Sequence, residues 1–240
     1  MENTIYAGLS RQMALQAQMD IVANNIANMS TPGYRAQNMV FTEYLAEPKG
    51  IEDPLSMVVD YGHYQNTAAG PIRQTGNPLD IALQGKGYFS VQTNEGQMYT
   101  RAGNFQINVN GELVTGAGHL VSGEGGGPII VPQGARDIYV DEQGAVATEE
   151  GEIGRLQIVE FENEQELEAT GNGLYKTEAA ALPADDTRVM QGMLEDSNVT
   201  PILEMTRMID VTRAYQSTQK MLQSEHERQR TMIQRLSRSS

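Results

Sequence analysis

Three histidines, His63, His119 and His226, are the side chains best suited to proton transfer or zinc binding, and no two share a metal-ligand spacing. Acid pairs are frequent, among them Glu149-Glu150 and Asp185-Asp186. Two carboxylates catalyse only where a cleft drives their pKa values apart; adjacent acids in polar loops stay solvated. No serine sits in a Gly-x-Ser-x-Gly elbow. The run Ser122-Gly123-Glu124-Gly125-Gly126-Gly127-Pro128 fails as a phosphate cradle, because no lysine follows the glycines and Glu124 repels phosphate. Asp141-Glu142-Gln143-Gly144 and Asn108-Val109-Asn110-Gly111-Glu112 lack the alternating oxygen ligands and distal glutamate of a calcium loop, and read as hairpin turns. With no cysteine in 240 residues, disulfides, thiol catalysis and cysteine zinc sites are excluded. The expectation is a protein with no catalytic residues, no metal, no cofactor and no small-molecule substrate.

Charge narrows the partners. The formal net charge is −14, and residues 41–197 carry the acidity while 1–40 are balanced and 198–240 are basic. Phosphate binding needs concentrated Lys and Arg, so nucleic acid is not expected as a partner. No apolar run approaches the roughly 20 residues of a membrane span. The first 25 residues lack the basic start and apolar core of a cleavable signal peptide.

The elements that must position any functional residues begin with the two ends. Residues 198–236 read as one long helix: Thr200 can cap it, Pro201 suits its first turn, and neither Gly nor Pro follows before Leu236. Thirty-odd residues make a rod of roughly 50 Å. Its apolar stripe, Ile202, Met205, Ile209, Thr212, Tyr215 and Leu222, is thin, and such a helix needs partners. Residues 3–29 read as a second helix. Ile5, Leu9 and Met13 begin one stripe, and Leu15, Met19, Val22 and Ile26 continue a drifting one. Its polar face is rich in amides, including Asn24, Asn25 and Asn28, which can bond to neighbouring helices without the desolvation cost of a charge. Ser30-Thr31-Pro32-Gly33 stops it.

Between the ends the grammar changes. Residues 36–70 read as an extended connector broken at Pro48 and Gly50. From 71 to 178, short β-favouring runs such as Leu79–Leu83, Tyr88–Gln92, Gln97–Arg101, Ile138–Val140, Ala145–Thr148 and Gly154–Phe161 alternate with Gly and Asn turns. That pattern predicts an all-β domain of sandwich or barrel type. Gly76, Asn77, Asp80, Gly85, Gly87, Gly103 and Asn104 mark its turns, Arg101 is expected to tie turns by hydrogen bonds, and Phe105 starts a strand. Residues 179–197 read as a linker. The predicted fold class is therefore α+β. Helices in 1–35 and 198–240 pair as a coiled-coil-like stem, and a central β domain lies between them.

Ala23-Asn24-Asn25-Ile26-Ala27-Asn28-Met29-Ser30-Thr31-Pro32-Gly33-Tyr34-Arg35 resembles the N-terminal signature of bacterial flagellar axial proteins, the rod and hook family. Tyr34 stands where Phe is more usual and Arg35 where Lys is common. Thr75 to Phe89 and Tyr99-Thr100-Arg101-Ala102-Gly103-Asn104-Phe105 resemble the same family, as do Gln191 to Val199 and Met208 to Tyr215. Thr200 and Gln216 depart from the pattern, and the last twenty residues are less family-like. The motifs follow the family order over nearly the whole sequence.

The resemblance implies a non-catalytic subunit of the flagellar basal body. Its place would be the proximal part of the rod, with the distal part as the alternative. It implies export through the flagellar type III apparatus and helical stacking, with copies of itself and neighbouring rod proteins, into a shaft crossing the periplasm. A rival from another class is a secreted adhesive or glycan-binding β domain with coiled-coil ends. That rival wants exposed aromatics, and the sequence has no Trp and four Phe.

Overall fold

The computed structural model describes the backbone of residues 2–46, 55–135 and 137–238 and, within these, the side chains of 5–40, 62–135 and 137–235. Pro48 and Gly50 lie outside the described residues. The protein forms two compact units. One comprises Met1–Ala27, Gln37–Gln65 and Thr200–Ser240; the other comprises Asn28–Ala36 and Asn66–Val199.

The first unit holds α1 (Glu2–Ala27), a hairpin of β1 (Gln37–Ala46) and β2 (Leu55–Gln65), and the C-terminal helix. Residues 36–70, expected as a connector, thus contain two long antiparallel strands, paired from Gln37 with Gln65 to Ala46 with Leu55 and bulged beside Val40.

The second unit opens with β3 (Ile72–Gln74), β4 (Ile81–Gln84), β5 (Tyr88–Thr93) and β6 (Gly96–Thr100). β7 (Gln106–Ile107), β8 (Leu113–Val114) and β9 (Leu120–Val121) follow, then β10 (Ile138–Val140), β11 (Ala145–Thr148) and β12 (Gly151–Arg155). The expected run Gly154–Phe161 divides, its second half forming β13 (Ile158–Glu160). β14 (Glu168–Gly171), β15 (Leu174–Lys176) and β16 (Leu182–Pro183) come next, and β17 (Arg188–Gln191) and β18 (Met193–Glu195) close the unit. The fold ends in α2 (Pro201–Arg238). The three last strands fall within the stretch expected as a linker.

β5 is the central strand. One edge pairs with β6; on the other, Tyr88 and Phe89 pair with β13 while Val91 and Gln92 pair with β9. Alternation along a strand sends successive side chains to opposite faces. Phe89 and Val91 therefore enter a core with Phe105, Leu113, Val121, Val146, Leu156 and Val189. Tyr88 enters a second cluster with Tyr99, Phe161, Leu167 and Tyr175. Burial on both faces explains why Tyr88-Phe89-Ser90-Val91 is wholly inside. The Phe89 and Phe105 rings meet edge-on at 5.0 Å. Two strand pairs, β4 with β17 and β3 with β18, bring residues 188–195 alongside 72–84.

In the first unit, α1 and α2 run antiparallel. A Cβ on Gly8 would meet the Leu222 side chain, and Asn25 bonds Glu204. α2 has 38 residues and is about 57 Å long. Its buried and half-buried positions recur four and three apart: Glu204, Met208, Val211, Tyr215, Thr218 and Leu222. Among the described residues, no helix is long and apolar enough to cross a membrane.

Candidate functional site: a buried ionic clasp

Three stretches distant in sequence meet inside the second unit. The first is Asn28–Ala36, which leaves the Thr31-Pro32 turn in an extended path. Gly33 makes that path possible. Its φ is 68°, and a Cβ there would strike the Arg101 and Ala102 backbone. Its N–H donates to the Glu195 carbonyl at 2.8 Å. The second stretch is the end of β6, where Thr100-Arg101-Ala102-Gly103 turns toward Phe105. Gly103 has no room for a side chain, since a Cβ would sit on the Ile81 carbonyl oxygen. The third is β18 and its exit, Glu195 to Asn198.

Their charged side chains converge. The Arg35 Nη2 lies 3.1 Å from the Glu195 Oε1, with relative exposures of 1% and 2%. The Arg101 Nε lies 3.6 Å from the Glu195 Oε2 and is equally buried. The remaining groups are distributed over backbone. Arg35 donates to the Ala68 carbonyl, Arg101 donates to the Gly85 and Gly87 carbonyls, and Glu195 accepts the Gly70 N–H at 2.9 Å. Two guanidinium groups thus share one carboxylate. The pairs are close contacts rather than aligned hydrogen bonds, because the Arg35 Nε and Nη2, the Arg101 Nε and the Glu195 Oε2 find no aligned partner. Breaking such a pair leaves a buried charge uncompensated, at a cost of about 3–5 kcal/mol.

Aromatic rings wall the cluster. Arg101 lies 5.2 Å from the Tyr88 ring centroid, and the Tyr88 hydroxyl donates to Glu164 at 2.9 Å. Burial lowers Arg101 from the ordinary arginine range, against the opposing pull of Glu195. Burial raises Tyr88, and Glu164 adds to the rise. Burial pushes Tyr175 up to about 12. Such a site holds distant segments together; it offers no activated nucleophile. Among the described residues, no three His, Asp or Glu side chains gather to hold a metal ion.

Asn198 fastens the same segments from the solvent side. Its amide donates to the Asn66 and Ala68 carbonyls at 2.8 Å each and accepts the Ala36 N–H at 2.7 Å. The turn residues marked in the sequence surround this region. Gly76 donates to the Gly192 carbonyl, Asn77 donates to Asp80 at 3.0 Å, Asp80 accepts from Gly192 through its carbonyl, and Asn104 bridges Asp80. Gly85 and Gly87 present their carbonyls to Arg101, Gly103 accepts the Ile81 N–H, and Phe105 is in the core.

The stem residues divide differently. Val22 and Asn25 are enclosed, and Ile5, Leu15, Met19, Ile26, Asn28, Thr212, Tyr215 and Leu222 are half-buried or at the margin of exposure. Leu9, Asn24, Ile202, Met205 and Ile209 are exposed or nearly so. The stripe running Ile202, Met205, Ile209 therefore points away from α1, and the face turned inward carries Glu204, Val211 and Thr218. Glu204 can be inside because Arg207 reaches it at 2.6 Å and Asn25 donates to it at 3.2 Å. Asn25 also exchanges two bonds with the Gln37 backbone at 2.9 Å, fixing the start of β1. Periodicity alone selects the more apolar stripe and misses this polar one.

Sequence reasoning also misses Glu195 and the partnership of Arg35. A lone carboxylate in Gly192-Met193-Leu194-Glu195, and a lone guanidinium after Pro32-Gly33-Tyr34, are the available signals. Opposite charge at the two ends of the unit is the only hint that they pair.

Comparison with known proteins covers both ends and the middle. Residues 5–35 match the model of the flagella basal body rod protein family, 82–148 the flagellar hook protein FlgE/F/G D1 domain, and 190–235 the flagellar basal body rod FlgEFG protein C-terminal family. The protein is 39% identical to flagellar basal-body rod protein FlgF of Caulobacter vibrioides, over 98% of each. It is 34% identical to FlgF of Salmonella typhimurium over the full length of both. With flagellar basal-body rod protein FlgG of Bacillus subtilis it shares 31% identity, covering 95% of this protein and 96% of the relative. The C-terminal match extends through most of the last twenty residues, which by motif are less family-like.

Proposed function

The chain belongs to the flagellar basal-body rod protein family, and from that premise we propose that it builds the proximal part of the rod, the shaft that transmits torque for motility. Its role is structural. It stacks with copies of itself and with neighbouring rod proteins, reaching its place across the periplasm through the flagellar type III export apparatus. The observation that carries this reading is the apolar side chains that α1 and α2 leave outside their own seam. Ile202 is 80% exposed and Met13 67%. Single exposed apolar residues are ordinary, but a line of them along a helix marks a surface that a neighbouring subunit buries.

The four-and-three spacing of the buried and half-buried α2 positions supports coiled-coil-like pairing of the two helices. That seam is thin and contains Glu204 and Thr218, so the pair is weak by itself. Both helices are disordered in the free subunit and fold on assembly, where burial between subunits offsets the ordering cost. The distal rod remains the alternative, supported by the similarity to FlgG of Bacillus subtilis. A tagged copy in electron micrographs of isolated basal bodies decides between them. Label at the membrane-proximal end of the shaft is expected, and label confined to the distal shaft would reject the proximal assignment.

A further inference from the structure

The sequence has two Asn-Gly dipeptides, Asn110-Gly111 and Asn172-Gly173, and the fold treats them in opposite ways. At Asn110-Gly111 the attacking atom of a deamidation is occupied, since the Gly111 N–H donates to the Asn108 carbonyl at 3.0 Å. Asn108 also accepts the Asn110 N–H at 2.9 Å and the Glu112 N–H at 3.0 Å, so the loop is bound from within. Asn172-Gly173 is the two-residue turn between β14 and β15. Both residues have positive φ, 53° and 72°, the pattern of a type I′ turn. Asn172 is exposed. Among the described residues neither its side chain nor the Gly173 N–H has a hydrogen-bond partner. The Gly173 carbonyl is held, accepting from the Thr100 hydroxyl at 2.7 Å. The turn also lies at the margin of its sheet, next to β14, whose residues are all exposed.

We propose that Asn172 is a site of spontaneous self-modification, converting to aspartate and isoaspartate in the folded protein while Asn110 is protected. The Gly173 nitrogen, losing its proton to solvent, attacks the Asn172 Cγ. A bond forms between that nitrogen and Cγ, the Cγ–Nδ2 bond of Asn172 breaks, and ammonia leaves with the proton it needs. The resulting succinimide is opened by one water at either carbonyl, giving aspartate or isoaspartate with no oxidant or cofactor. Each product adds a negative charge. Isoaspartate also lengthens the backbone within a turn that has only two residues, and so shifts the pairing of Gly171 with Leu174. Turn geometry carries this proposal, independently of the place in the rod.

The test incubates the purified full-length protein in mildly alkaline buffer and follows both dipeptides by peptide mapping and enzymatic isoaspartate labelling. Native protein should lose Asn172 severalfold faster than Asn110, and in strong denaturant the two rates should converge. Equal rates in the native state, or faster loss at Asn110, would overturn the proposal. A ratio that persists unchanged in denaturant would also overturn it, because local sequence rather than the fold would then be the cause.

Discussion

Arg35 and Glu195 come from opposite ends of the β unit and meet at 3.1 Å with almost no solvent exposure. Because Arg101 reaches the same carboxylate, one acid is the shared counter-charge of two cations. The unit is therefore closed by both of its terminal stretches, and neither can be removed without exposing a charge that the other was compensating.

Glu195→Gln should be the most damaging conservative change in that cluster. It leaves two buried guanidinium groups without a counter-charge, at a cost of about 3–5 kcal/mol. Arg101→Met should cost less in charge balance, since it leaves Arg35 paired with Glu195. Urea denaturation followed by near-UV CD measures both. A Glu195→Gln variant as stable as the parent would remove the clasp as a stabilising feature.

Alkaline pH should unfold the β unit through its tyrosines. Burial raises Tyr88, Tyr99 and Tyr175, the last to about 12. An unfolded tyrosine ionises near 10, about two units lower than Tyr175 in the fold. The unfolded state therefore loses its proton first. Stability from Tyr175 is intact below about pH 10 and falls away as pH rises toward about 12. Phenolate absorbance should show Tyr88, Tyr99 and Tyr175 ionising only as the fold is lost. Ionisation of Tyr88, Tyr99 and Tyr175 near pH 10 in folded protein would contradict the burial.

Ile209→Asp should leave the β unit intact by CD and block rod assembly, because Ile209 is 51% exposed and outside the α1–α2 seam. Gln219→Asp, on an exposed polar position of the same helix, serves as the control and should swim normally. Motility assays on both variants test the assembly surface. Normal swimming with Ile209→Asp would show that this stripe is not covered by a neighbour.

Two glycines should respond differently to alanine. Gly103→Ala forces a methyl onto the Ile81 carbonyl oxygen, which is backbone and cannot move aside. Its cost should exceed about 4 kcal/mol or prevent folding of the β unit. Gly76→Ala meets nothing within 4 Å but retains a φ of 75°, so only left-handed backbone strain of about 1–2 kcal/mol applies. Thermal denaturation of the pair separates steric from conformational cost.

Much of this was legible in the residues. Helix ends followed from Pro201 and from the Thr31-Pro32-Gly33 stop, and short β runs between Gly and Asn turns marked most strands of the central unit. These signals are local: a proline fixes its own φ, and a turn needs only its own few residues. The same holds for the α+β class and for the motifs that resemble the rod and hook family. Long-range pairing is a different kind of information. Nothing in Leu55–Gln65 alone states that it pairs with Gln37–Ala46, and nothing in Arg188–Glu195 states that it completes strands near Ile72 and Ile81. The inward face of α2 was decided by Asn25 and Arg207, which satisfy Glu204 and let a charged residue displace Ile209 from the seam. Tertiary structure also decided that Arg35, Arg101 and Glu195 are buried together. Burying a charge is costly unless a counter-charge arrives from elsewhere in the sequence, and only the folded arrangement says where it comes from.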